Sequence, residues 1–102
     1  MRPILLARLD EVRPMLMLTR ELSRPHMTRA SVAPVTSRIR GLSVEVPVGT
    51  CNGLDAECVV NLDNIVTLAT ADLERQIGWL FSDQDPALAE AIHAAYDLAG
   101  LD

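Results

Sequence analysis

Apolar residues in this chain come in short runs, each closed by turn residues, until residue 85, where their spacing changes to three and four. That change of period constrains the fold more than any other feature. Ser43-Val44-Glu45-Val46-Pro47-Val48 alternates strictly, so Val44, Val46 and Val48 face one side of a strand and Glu45 the other. Pro47 cannot donate to a ladder, which assigns this strand to a sheet edge or to a strand end. Residues 4–9, 15–19, 30–35, 58–61, 64–68 and 76–81 read as further strands. Residues 10–14 form a tight connection between the first two. Residues 23–28, with Pro25, read as a loop or single turn, and Asn52-Gly53-Leu54-Asp55 as a turn. Leu88, Ala91, Ile92, Ala95 and Ala99 then make one apolar helical stripe. Asp85 before Pro86 predicts the N-cap, and Gly100 predicts the stop. Together these patterns predict a mainly β chain with a C-terminal α-helix against a compact, barrel-like antiparallel sheet, in one domain over residues 1–102.

The charge is divided unevenly. Residues 1–40 hold eight Arg against Asp10, Glu11 and Glu21, a balance of +5; residues 41–102 hold Arg75 against eleven acids, a balance of −10. A basic face on an acidic body suits a local polyanion site and excludes an indiscriminate nucleic-acid binder. The chain has no Lys, so any phosphate recognition falls to the planar, bidentate guanidinium. With one Trp, one Tyr and one Phe it lacks the material for several base-stacking platforms. Cys51 and Cys58 read as reduced thiols, without the companions a zinc set needs, and His26 and His93 stand alone; no metal or cofactor is assigned. No apolar run approaches the roughly 20 residues of a bilayer span. The run after Arg2 breaks at Arg8, too short for a signal peptide, so a cytoplasmic protein is expected.

Local motifs carry the reading beyond a small β-rich domain. Arg13-Pro14-Met15-Leu16-Met17-Leu18-Thr19-Arg20 resembles the Arg-Pro-aliphatic strand of the MazF/PemK toxins. Val32-Ala33-Pro34-Val35-Thr36-Ser37 resembles their next strand, which ends in a Pro-x-Thr-Thr/Ser turn. Arg38 to Val46 resembles the hairpin that follows in actinobacterial members, and Val60-Asn61-Leu62-Asp63-Asn64-Ile65 a later strand beside the groove. Residues 73–80, with Ile77-Gly78, resemble the run into the final helix. Each motif is common alone; their joint order and spacing are specific. Two departures, a short loop after the first strand and no Trp within it, bear on the recognised RNA sequence more than on the reaction.

The resemblance implies an SH3-like barrel of the MazF/PemK type and a metal-independent endoribonuclease, the toxin of a type II toxin–antitoxin system, which inhibits translation and growth. In that family the 2′-hydroxyl of single-stranded RNA attacks its own phosphodiester, leaving a 2′,3′-cyclic phosphate and a 5′-hydroxyl. The tethered nucleophile leaves the protein to stabilise charge and move protons. By analogy Arg13 contacts the scissile phosphate and Thr36 donates to the developing oxyanion. Arg38, Arg40 and Ser37 are candidates for flanking phosphates, and Asp63 and Asn64 for base edges. A guanidinium holds its proton far above neutral pH and is a poor base, so Arg13 is assigned an electrostatic role; Asp10 and Glu11 read as solvated turn charges. The implied partners are RNA, a MazE-like antitoxin and a second copy of the chain in a homodimer. The alternatives are a non-catalytic toxin of the same fold that binds gyrase, a catalytically inactive relative and a plain interaction module. The gyrase-binding toxins rely on a Trp-Gly-Ile ending, where this chain has Ala99-Gly100-Leu101-Asp102.

Overall fold

In the computed structural model, which describes residues 1–98, β1 (Arg2–Arg8) and β2 (Val12–Met17) form a hairpin. Its turn is closed by Arg8 opposite Val12 and by the Leu9 N–H, which donates to the Glu11 carbonyl at 3.0 Å. So short a turn carries pairing almost to the tip. Arg13 and Pro14 therefore lie in β2, opposite Ala7 and Leu6, and not in the connection expected there. The chain continues through a 3-10 segment at Glu21–His26 to β3 (Arg29–Thr36), β4 (Glu45–Val48), β5 (Cys58–Asn61), β6 (Val66–Ala69), β7 (Leu73–Leu80) and α1 (Asp85–Ala95). Every pairing is antiparallel. The strand order is β4-β5-β3-β2-β1-β7, with β6 also on β3, and Pro47 sits on the edge strand β4 as its missing N–H requires.

Apolar side chains cover both faces of this sheet. Ile4, Leu16, Ala33, Val46, Val60 and Leu80 pack with Leu88 and Ala91 of α1. On the reverse, Leu5, Ala7, Met15, Met17, Ala30 and Val32 lie under Met27, Leu68 and Leu73. The pleat sends Ile4 and Leu5, Leu16 and Met15, and Ala33 and Val32 to opposite clusters, which is why residues 15–18 are apolar without alternation.

Several boundaries differ from the sequence pattern, each for a local reason. β7 begins at Leu73, not at residue 76, because pairing with β1 runs on to Ala7 opposite Leu73. Asn64 lies in the turn Leu62–Asn64 and not in a strand, since the Asn61 side chain accepts the Asp63 N–H at 2.9 Å. Gln84, and not Asp85, is the N-cap residue, because the turn Ser82–Gln84 runs straight into α1. The helix ends at Ala95. Asp97 adopts a left-handed φ of 54°, and the Leu98 N–H donates to the His93 carbonyl at 2.8 Å, a Schellman stop built without glycine. Ala99 and Gly100 lie outside the described residues.

The end of the sheet beneath α1 is held by Asn52, which is 1% exposed. Its amide donates to the Trp79 carbonyl and to Gln84 Oε1, both at 2.8 Å, while its oxygen accepts the Gly49 N–H at 3.0 Å. Gln84 Oε1 also accepts the Phe81 N–H at 2.8 Å. Backbone contact makes this possible: a Cβ on Gly78 would stand 1.7 Å from the Asn52 carbonyl oxygen. Gly78→Ala is thus expected to cost about 3 kcal/mol or more of folding stability. Gly41→Ala should cost only about 1–2 kcal/mol, because its Cβ meets nothing within 4 Å and the penalty is that of a φ of +71°. Urea titration of both variants measures the contrast; equal losses would show that the turn at Asn52 yields to the added methyl.

Candidate active site

The β2–β3 ladder runs through Met17↔Val32, Leu16↔Ala33 and Met15↔Pro34, and ends there. Pro14, next in the register, has no N–H to extend it. At the same point β3 changes its neighbour on the other side, from β6 at Val32↔Val66 to β5 at Val35↔Val60 and Thr36↔Val59. Continued two residues past its last pair, the β2–β3 register sets Arg13 opposite Thr36. Alternation keeps both on the face that carries Met15, Met17 and Val32. A hollow of about 240 Å³ opens where the ladder stops, lined by Arg13, Pro34, Thr36, Arg38, Arg40, Asn61 and Asn64.

The polar groups in this hollow have defined states. Thr36 Oγ accepts the Arg38 N–H at 3.1 Å, which orients the hydroxyl and leaves its own proton to donate. Arg13 is paired with Glu11, Nη2 to Oε1 at 2.7 Å, with side chains 50% and 66% exposed. At that exposure the pair contributes little, so a doubly bonding phosphate can displace the carboxylate. Arg38 and Arg40 are exposed and enter no ion pair among the described residues. Three guanidinium groups and a hydroxyl with no opposing carboxylate in the lining make a cradle for a phosphodiester.

The structure therefore brings Arg13, Thr36, Arg38, Arg40 and Asn64 together. Ser37 points into a separate hollow of about 640 Å³ shared with Leu6, Pro14, Cys58 and Gln76. Asp63 is exposed beside Asn64 and does not line the Arg13 hollow. Asp10 accepts the Glu11 N–H at 3.1 Å in the hairpin turn. Asn61 was not singled out in the sequence, although it lines the site; its place at the end of β5, before an Asp two residues on, is the turn signal that locates it.

Comparison with known proteins places the chain in a family. Residues 4–96 match the family described as PemK-like, MazF-like toxin of type II toxin-antitoxin system. The chain therefore belongs to this toxin family, and with it to the endoribonucleases. It is 56% identical over 98 residues, 96% of this chain and 95% of the relative, to "Endoribonuclease MazF3" of Mycobacterium tuberculosis. The solved structure "Mycobacterium tuberculosis toxin MazF-mt6" superposes with a TM-score of 0.94 at 55% identity, over 97% of this chain and 100% of that one. A mycobacterial endoribonuclease solved with its cognate antitoxin shares the fold, with a TM-score of 0.85 at 21% identity, over 97% of this chain and 95% of that one.

Glu11→Ala is expected to change folding stability by less than about 1 kcal/mol, as for other exposed pairs. It should also tighten binding of inorganic phosphate at the hollow, followed through the Thr36 and Arg38 amide resonances. Weaker phosphate binding would show that Glu11 does more than occupy Arg13.

Proposed function

We propose that the Arg13–Thr36 hollow holds one phosphodiester of single-stranded RNA and cleaves it through attack by the adjoining 2′-hydroxyl. The observation that carries this reading is that Arg13 and Thr36 line one hollow together with Arg38 and Arg40. The 2′-oxygen forms a bond to phosphorus and loses its proton. The bond from phosphorus to the 5′-oxygen breaks, and that oxygen leaves as a hydroxyl after gaining a proton. The products are a 2′,3′-cyclic phosphate and a 5′-hydroxyl. Because the nucleophile is part of the substrate, the reaction needs no metal to generate one. Charge gathers on the non-bridging oxygens, where the Arg13 guanidinium and the Thr36 hydroxyl donate. Arg13 remains charged throughout, so the proton of the 2′-hydroxyl passes to another group or to water. Arg38 and Arg40 hold flanking phosphates and Asn64 meets a base edge, while Ser37 and Asp63 contact nucleotides beyond the scissile one.

Family membership supports the wider biology. The chain acts in the cytoplasm as a toxin that cuts RNA and arrests growth, and a MazE-like antitoxin restrains it by covering the basic groove. No helix among the described residues is long and apolar enough to cross a membrane. The working unit is a homodimer, and exposed Val12, Val66 and Trp79 supply apolar surface for association.

Thr36→Ala should lower the cleavage rate by about 10²–10³, the usual cost of removing one donor to a developing oxyanion. Arg13→Lys should lose most activity, because it keeps the charge and loses the planar fork; Arg13→Ala should lose more. EDTA should leave the rate unchanged. Product analysis by sequencing 5′-hydroxyl ends of total RNA, with each variant in parallel, reads all three expectations. Cleavage by Arg13→Ala at the wild-type rate would overturn the assignment.

A further inference from the structure

We infer that Glu45 is a positioning residue for RNA cleavage: its carboxylate fixes the β3–β4 loop so that Arg38 and Arg40 face the Arg13 hollow and hold the flanking phosphates. This rests on the RNA-cleavage reading and deepens it. The loop from Ser37 to Ser43 is exposed throughout, so packing does not hold it. Hydrogen bonds to side chains hold it, most of them accepted by Glu45. Glu45 Oε1 accepts the N–H groups of Arg40, Gly41 and Leu42 at 3.2, 2.8 and 3.1 Å, and Oε2 accepts that of Arg40 at 3.3 Å. The Glu45 N–H closes the turn on the Leu42 carbonyl at 3.1 Å. Gly41, at φ +71°, lets successive N–H groups converge, the geometry of a backbone nest for an anion.

The anion in this nest is the protein's own carboxylate, and it bonds to the backbone rather than to the guanidinium groups beside it. Glu45 enters no ion pair among the described residues, so Arg38 and Arg40 keep their charges for substrate. The anchor is also tied to the site. Glu45 lies opposite Asn61 in the β4–β5 ladder, which puts both side chains on one face, and Asn61 lines the Arg13 hollow. The Thr36 hydroxyl holds the loop at its other end through the Arg38 N–H. The two arginines are thus carried on a strap fastened at Thr36 and at Glu45.

A positioning role and a simple charge effect have opposite signs. As an isolated negative charge near the groove, Glu45 would repel RNA, and its removal would lower KM. As the anchor of the strap, its removal frees two long side chains and raises KM. The test uses the full chain and an RNA oligonucleotide carrying a site mapped on total RNA. Glu45→Ala should raise KM about tenfold, the scale set by ordering two long side chains on binding, with kcat changed much less. Glu45→Gln, which keeps one acceptor oxygen, should show a smaller rise, and it carries the test if the alanine variant does not fold. In an Arg38→Ala/Arg40→Ala background, either substitution at Glu45 should add nothing. An unchanged or lowered KM, or an effect of the same size in that background, overturns the inference. It does so without touching the proposed reaction, which fails separately if Arg13→Ala still cleaves RNA.

Discussion

The site depends on the point where the β2–β3 ladder stops. Two strands that stay hydrogen-bonded leave no room between them for a ligand. Here Met15↔Pro34 is the last pair, and Pro14, next in the register, has no N–H with which to carry the ladder further. β3 turns to β5 at the same place, so the strand stays paired on one side while it opens on the other. The buried methionine and valine rows behind the opening fix its register, because a slip by one residue would send Met15, Met17 and Val32 to the wrong face. The same constraint that packs the core therefore brings Arg13 and Thr36 to one hollow.

Charge is handled locally within an acidic molecule. The net charge is −5, yet the hollow is lined by three arginines and no acid. Glu11 and Glu45, the acids nearest these arginines in the sequence, are used differently. Glu11 pairs with Arg13 at the surface, where a phosphate competes well. Glu45 is spent on backbone N–H groups, leaving Arg38 and Arg40 without an acidic partner among the described residues. An acidic body with one basic cleft suits an enzyme that must choose among RNA sites rather than coat RNA.

Fold class was legible because the change of period near residue 85 and the single Pro47 are local signals with one physical meaning. The apolar run of Met15, Leu16 and Met17 likewise indicated a strand covered on both faces. Arg13 and Thr36 were legible only through the ordered motifs; as isolated residues they look like a surface charge and a strand end. Their cross-strand meeting was not, since register is set by cores assembled from strands far apart in sequence. Glu45 read as the outward residue of an alternating strand, and its bonds to residues 40–42 exist only once the loop has formed. Asn52 escaped for the same reason, its partners being decided by tertiary contact, whereas Asn61 carries a local turn signal, its side chain accepting the N–H of Asp63 two residues on. Element boundaries shifted for local reasons: a side chain substitutes for a backbone partner at Asn61 before β6, and backbone pairing with β1 runs on to the start of β7.

In the proposed reaction this cleft acts on a phosphodiester whose nucleophile is supplied by the RNA itself. One atom of the substrate decides it. An oligonucleotide is made with deoxyribose only at the nucleotide 5′ of the cleaved bond, and its binding and cleavage are compared with the all-ribose version. Affinity should be nearly unchanged, since one hydroxyl carries little of the binding, and cleavage should be abolished. Cleavage of the single-deoxy strand at the full rate would contradict that reaction.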